Sequence, residues 1–455
     1  MDMIIPSIIV VIAIMILNFN HQRDFIAPTF LMLVSFLLAL VLIALNVTNW
    51  EIEINQLFIV VVFVAMASFV TGSYYIRLKK TNYGMITDKS HYFESKRSFN
   101  KYALVMRKYP LISICILSFL LFIVFILMIL KEVGTAGGIS ATLRRIYDSR
   151  LASEGGHFLF HQVEKIIIEI GYINFFHLMN VCFFMRKGSK KKRHIILTLL
   201  PIALSGICVI ISTDRNIILR FFIYALILWI LYFQRSPRRR LSRSNRIILG
   251  STIVIAILMM FAFFILGKMK QYTSNLERMI GIYGGSGLYN FNTWVESFNG
   301  PNTFGYATFK ALLNVFSVFG ISFNNPVEEL PMVVHASKNG YVFASNIYSG
   351  LQPFYQDFGI VGVVIFVFIM GVFFEYLYQK THEKSYSLNW IIYASFAYPL
   401  IFMSIAEQFY ARLHLGLVYE IFYLLLIYYL TYGRHMKHIK KRKVVKKSEI
   451  EVVSI

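Results

Sequence analysis

The chain has 455 residues, 57% of them hydrophobic and 15% charged, with a formal net charge of +22. A water-soluble protein of this length has no way to hide so much apolar surface, and apolar runs of about 18 residues or more recur along the chain, each long enough to cross a hydrocarbon core of roughly 30 Å as a helix. The runs are continuous and do not alternate, which excludes a transmembrane barrel. The positive charge falls in short clusters between them, so it reads as topology and attraction to anionic lipid, and weighs against a nucleic-acid role.

The expected fold class is therefore all-α: a polytopic membrane protein of about 11 transmembrane helices in a single membrane domain. The expected spans are 3–18, 25–45, 55–76, 111–130, 162–184, 195–212, 217–234, 247–267, 358–380, 388–407 and 413–432. Asp2 precedes the first and no small-residue cleavage site follows it, so it reads as a retained helix rather than a signal peptide. Cys115, Cys182 and Cys208 all lie inside apolar runs without metal-like spacing and read as small packing residues.

Lys and Arg set the expected orientation. Basic clusters occupy the 77–110 loop, Arg186 to Arg193, Arg235 to Arg246, and the 433–455 tail. All four fall on one side if the spans alternate, and that side is the cytoplasm. The N-terminus is then outside and the C-terminus inside. On the outer side two connections are long: 131–161, and the large loop 268–357, rich in Gly, Asn, Ser and Tyr. Connections above about 15 residues are uncommon unless functional or disordered. The aromatic residues throughout 268–357, and the helix-period stretch FGYATFKALLNVFSVFG within it, favour a folded segment carrying an interfacial or re-entrant helix, the alternative being a twelfth span that would upset the topology.

Several sets of residues carry candidate chemistry. In STDRNIILR, Asp214 and Arg215 sit at a tight outer turn, and Arg220 lies about 7.5 Å deeper along the next helix. A charge at that depth faces a protein interior or an aqueous cavity, and guanidinium groups bind phosphate bidentately. The bland alternative pairs Arg215 with Asp214 and Arg220 with some other carboxylate. In LRRIYDSR, Arg144 pairs with Asp148 if the segment is helical, and an external run with this much positive charge breaks the positive-inside bias. Asp357 lies at the outer mouth of a span, either as a helix cap or as a proton acceptor. Glu407, Tyr410, Arg412 and His414 cluster at a further outer turn, where Glu407 and Arg412 form a pair or Glu407 serves as a base, and His335 is a third candidate base in the large loop. Glu164, Lys165 and Glu169 open one span, with Lys165 and Glu169 one turn apart, and Glu420 lies inside the last span and needs a partner.

The run Asn346, Tyr348, Tyr355, Asp357, Phe358, Gly359 and Gly362, the arginine turn Ser212 to Asn216, and the late outer loop together resemble the Wzy-type polymerases, the bacterial O-antigen, capsule and exopolysaccharide repeat-unit polymerases. The resemblance in layout covers nearly the whole chain. It implies a helical glycosyltransferase fold of the GT-C-like kind in the bacterial plasma membrane. The implied reaction joins undecaprenyl-diphosphate-linked oligosaccharides at the outer face, where the growing chain leaves its lipid diphosphate for a hydroxyl of the incoming unit. It also implies that neither metal nor nucleotide cofactor is needed, with membrane lipid, a chain-length regulator protein and the pathway flippase as candidate partners. On that reading Arg215, Arg220, Arg144 and Arg145 bind the diphosphate, and Asp357, then Glu407 or His335, accepts the hydroxyl proton. The implied glycan contacts are Asn346, Tyr348, Tyr355 and Trp294, with Asn290 as a further suitable amide. The alternatives are a lipid-linked oligosaccharide flippase, a glycan ligase of similar layout, and a non-enzymatic scaffold.

Overall fold

A computed structural model describes residues 4–22, 24–50, 52–82, 105–133, 142, 145–146, 158–185, 188–212, 214–235, 284–298, 300, 303–321, 323, 330, 333–336, 342–383 and 387–452. Its helices are α1 (Ile4–Gln22), α2 (Pro28–Trp50), α3 (Gln56–Asn82), α4 (Lys108–Val133), α5 (Phe158–Phe184), α6 (Ser189–Ile211), α7 (Arg215–Arg235), α8 (Ser286–Ser297), α9 (Tyr306–Ser317), α10 (Gln352–Glu383), α11 (Leu388–Phe396), α12 (Tyr398–Phe402) and α13 (Leu415–Val452). One antiparallel hairpin, β1 (Val333–Ala336) with β2 (Val342–Ser345), adds a small sheet to the expected all-α class, with Val333 opposite Ser345.

Among the described residues eight helices are long and apolar enough to cross a membrane, and Ile4–Leu17 and Leu388–Phe402 are shorter apolar helices. The chain is a multi-pass helical membrane protein. The expected span 247–267 lies outside the described residues. The expected span 388–407 ends early, because helix gives way after Phe402 to a turn and then to irregular chain. Its interruption at Ala397 has a local cause: Pro399 has no N–H to give the carbonyl of Ser395.

The chain forms two compact units. Unit 1 comprises Met1–Ile86, Ile253–Ser385 and Ile392–Leu417, and unit 2 comprises Thr87–Thr252, Tyr386–Ile391 and Val418–Ile455. In unit 1, α3 and α10 approach closely enough that a Cβ on Gly72 would lie 2.3 Å from the carbonyl oxygen of Phe368, and one on Gly371 would lie 2.4 Å from that of Phe69. Small residues permit such crossings where lipid supplies no hydrophobic drive between helices. Toward the C-terminal ends of the same pair, Arg77 meets fully buried Glu375 in a two-pronged ion pair, Nε to Oε1 and Nη2 to Oε2 both at 3.1 Å. Nearby, Tyr378 donates to Asp24 at 2.6 Å, and Asp24 in turn accepts the Ile26 N–H at 3.1 Å.

The opposite end of unit 1 gathers three connections that the charge pattern assigns to one side. Helix α8 lays Leu288, Phe291 and Val295 into the core shared with α2 and α3, each worth roughly 1.5–3 kcal/mol of apolar burial. Asn292 staples it to the α2–α3 turn, accepting the Asn55 N–H at 2.9 Å and donating to the Glu53 carbonyl at 2.8 Å. The chain at 346–350 is stitched between α8 and the 403–407 segment: Ser349 N–H bonds the Gly287 carbonyl and Gly350 N–H the Met403 carbonyl, both at 2.9 Å. A Cβ on Gly287 would lie 2.6 Å from the Ile405 oxygen, so this contact needs glycine.

Unit 2 centres on α5, which packs against α4, α6 and α7. Ser205 of α6 donates to the Ile167 carbonyl at 2.6 Å, and Tyr172 and Tyr224 stack at 4.1 Å. Cys115 and Cys208 are buried as expected of packing residues, whereas Cys182 is exposed.

Candidate functional site

The large loop 268–357 contains α8, α9, the hairpin and the first turns of α10. Its key junction is at Asp357. This carboxylate is fully buried and accepts hydrogen bonds from the Thr303 hydroxyl, from Ala307 N–H at 3.1 Å and from Thr308 N–H at 2.7 Å. Asp357 is thus the N-terminal cap of α9, supplied from another helix, and it satisfies donors that a helix start leaves without intrahelical partners. The rest of the Asp-Phe-Gly-x-x-Gly run is an elbow. Gly359 sits inside α10 at φ 61°, ψ −147°, a conformation open in practice only to glycine, and a Cβ on Gly362 would lie 2.3 Å from the Phe354 carbonyl oxygen. The far end of α9 closes on Gly320 at φ 80°, with Ile321 N–H bonding the Phe316 carbonyl at 3.2 Å in a Schellman-type turn.

Replacing Asp357 with alanine should therefore loosen α9 rather than remove a reacting group. A lost cap costs about 1–2 kcal/mol. In detergent-solubilised protein, tryptic cleavage after Lys310 should then accelerate by about tenfold. An unchanged cleavage rate would mean that α9 is held by something other than this cap.

Capped this way, α9 forms one wall of a cleft of about 500 Å³ lying entirely within unit 1. Its α9 wall carries Ala307, Thr308, Lys310, Ala311 and Asn314; Asn346 to Ser349, Gln352 and Pro353 form a second wall; Ala406, Glu407 and Ala411 form a third. The second wall is braced from behind. Fully buried Asn290 donates to the carbonyls of Ser345 and Ile347, at 3.2 and 2.8 Å, which makes it a structural brace rather than a glycan contact.

Glu407 is the distinctive group of this cleft. Its Oε1 accepts N–H groups from Phe409 at 2.6 Å and Tyr410 at 2.7 Å, and its Oε2 accepts Ala411 N–H at 2.6 Å, so the carboxylate sits in a nest formed by the turn that leads into the 3₁₀ segment Tyr410–Arg412. Burial pushes its pKa up from 4.5 to about 7, against the pull of those amides. The Glu407–Arg412 pair anticipated from the sequence is replaced by this nest, and the Arg412 guanidinium lies instead over the rings of Phe396 and Tyr398, at 5.8 and 5.5 Å. Tyr410 fixes the turn from below, donating to the Phe366 carbonyl at 3.0 Å and packing edge-on against Phe309, Phe354 and Phe366.

The cleft brings together three residues singled out from sequence, Asn346, Tyr348 and Glu407. Burial raises the Tyr348 phenol above its usual range, which keeps it a neutral hydrogen-bonding group. Trp294 and Tyr355 are not among the cleft-lining residues; they pack with Phe291 and Phe298 in an aromatic cluster, Trp294 stacked on Phe298 at 4.4 Å. Lys310, Thr308 and Gln352 belong to the cleft and were not singled out. The available signal was a lysine on an otherwise uncharged, apolar helix-period stretch. The His335 side chain and all of Arg144 lie outside the described residues.

The arginines belong to unit 2. Arg215 opens α7, and its side chain lies outside the described residues. Asp214 caps the same helix, accepting Asn216 N–H at 2.8 Å. Arg220 forms an ion pair with Glu420 at 2.7 Å, which gives each of these intramembrane charges a counterion. Arg145 is exposed, next to buried Ile146. Glu164 and Glu169 are buried in α5, with Glu164 3.5 Å from His161. Among the described residues no three His, Cys, Asp or Glu side chains gather closely enough to hold a metal ion.

These features define a multi-pass helical membrane protein with a cleft of mixed polar and apolar lining in its first unit. No family model, curated protein or solved structure matches this chain.

Proposed function

We propose that the chain is a metal-independent membrane glycosyltransferase that polymerises undecaprenyl-diphosphate-linked oligosaccharide repeat units at the outer face of the plasma membrane, as its resemblance to the Wzy-type polymerases implies. The observation that carries this reading is Glu407, a carboxylate held by three backbone N–H groups in the wall of a 500 Å³ cleft whose lining includes amides and hydroxyls, with burial raising its pKa to about 7. Transfer to a sugar hydroxyl needs a proton acceptor at that hydroxyl, and a base works best when its pKa lies near the working pH. Asn346, Gln352 and Tyr348 supply donors and acceptors suited to orienting a sugar, whereas the Ser349 hydroxyl is taken up by the Met403 carbonyl and the Leu351 N–H. Asp357 drops out as the leading base on this account, because it is fully buried in the α9 cap and does not line the cleft, whereas Glu407 does. The lipid diphosphate is itself an activated leaving group, so the step asks only for a base and for positive charge where the diphosphate is released.

The test is a polymerisation assay with the purified full-length protein in liposomes and one lipid-linked repeat unit. A ladder of lengthening glycans is expected. If single units are instead consumed by transfer to an unrelated lipid acceptor, the chain is a ligase, and if they cross the bilayer unchanged it is a flippase.

A further inference from the structure

Beside Glu407 the cleft holds a second feature that the proton-transfer reading leaves unused. Thr308 is 2% exposed, and its hydroxyl has no hydrogen-bond partner, although its own backbone N–H is taken up by Asp357. A buried hydroxyl left unpaired costs about 1–3 kcal/mol, which a bound acceptor would recover. Two residues further along the same helix, Lys310 is exposed in the same cleft, and no carboxylate lies within ion-pair distance of it among the described residues. A cation and an unsatisfied hydroxyl donor on one cleft wall match an anionic oxygen cluster such as a phosphate.

The surroundings say how that phosphate is carried. Helix α9 packs along the first turns of α10, a candidate membrane span, with Phe309 against Phe366 at 5.4 Å. The same stretch of α10 exposes Val361, Val364 and Ile365, as a lipid-facing helix does. Away from the cleft, α9 and its closing turn expose Leu312, Phe316, Val318, Phe319, Ile321 and Phe323, with Phe319 72% and Val318 68% accessible. So large an exposed apolar run on a segment lying along a membrane span is suited to hydrocarbon.

We propose that Lys310 and Thr308 form a subsite for the phosphate end of a long-chain lipid, whose hydrocarbon lies along the exposed apolar run of α9 and its closing turn. The inference rests on the reading above only for what that phosphate carries, since an oligosaccharide attached to it would extend toward Glu407.

The test measures binding of sugar-free polyprenyl diphosphate to the full-length protein in nanodiscs of phosphatidylcholine with phosphatidylglycerol. A charge-assisted hydrogen bond is worth about 1.5–3 kcal/mol, so Lys310→Ala should weaken binding by about tenfold or more. Thr308→Val keeps the shape and removes the orphan hydroxyl; it should weaken binding by about fivefold and leave the unfolding temperature equal or higher. Phe316→Asp with Phe319→Asp should weaken the lipid but not inorganic pyrophosphate. Unchanged lipid binding in both Lys310→Ala and Thr308→Val overturns the subsite. Equal affinity for pyrophosphate and the lipid overturns the lipid assignment, and displacement by phosphatidylglycerol alone makes Lys310 a general headgroup anchor and also overturns it. Binding that depends on Lys310 in a protein that polymerises nothing would sink the proposed function and leave the subsite standing. Polymerisation indifferent to Lys310 and Thr308 would do the reverse.

Discussion

Glycan elongation by the Glu407→Gln protein should fall about 10²- to 10⁴-fold, the usual contribution of a positioned base, with single lipid-linked units accumulating. The substitution keeps the size of the side chain and an oxygen able to accept the Phe409 and Tyr410 N–H groups. It places an NH₂ group against Ala411 N–H where Oε2 now accepts, so some stability is lost as well. The pH dependence separates the two effects. The folded pKa of about 7 lies above the ordinary 4.5. Between those values the folded protein holds a proton that the unfolded chain has released. Stability must therefore fall as pH rises across this window, and the loss is complete above pH about 7. Activity runs the other way, because only the ionised form accepts a proton, so the elongation rate should climb through pH about 7 and then level off. Rates and unfolding temperatures recorded over this range should diverge in wild type, and neither trend should persist in Glu407→Gln. Normal glycan ladders in that variant, or a surviving rate limb near neutrality, would remove Glu407 from the chemistry.

How much of this was legible beforehand depends on how far apart the partners lie in the chain. Ten of the expected spans coincide with apolar helices because hydropathy is a local property. Where the last loop begins was misjudged by about five residues, since 403–407 reads as apolar continuation. That helix stops where tertiary bonds take over: Ser35 donates to the Ile401 carbonyl at 2.7 Å, and Gly350 reaches Met403 from another segment. Asp357 lies in the first turns of α10, and its role is set by Thr303, Ala307 and Thr308, some 50 residues upstream. No periodicity encodes that pairing. The sequence offers Glu407 either as a base or as half of an ion pair, the latter because Arg412 is the nearest opposite charge along the chain. The fold instead turns the backbone at 409–411 toward the carboxylate and sends the guanidinium over two rings. Lys310 escaped notice because a single charge on an amphipathic stretch is ordinary until the opposite walls of the cleft are known.

Arg220→Ala should be strongly destabilising, and the loss should be largely reversed by exchanging the charges, Arg220→Glu with Glu420→Arg. The two side chains are 17% and 13% exposed and meet at 2.7 Å inside candidate spans, so removing one strands its partner in a poorly solvated place. Breaking a buried pair in this way costs about 3–5 kcal/mol, whereas removing both charges costs much less. Thermal unfolding in detergent should accordingly rank wild type first, the neutral double variant Arg220→Met with Glu420→Gln close behind, and either single variant well below. The ranking bears directly on phosphate binding. If Arg220 held the diphosphate, the neutral double variant would be stable but as inactive as Arg220→Ala, and the exchanged pair would be inactive too, because it puts a carboxylate where the phosphate must sit. If Arg220 serves only to neutralise Glu420, activity will follow stability through the whole series. The positive charge that meets the leaving group then has to come from elsewhere, and Lys310 is the cation that the cleft itself provides.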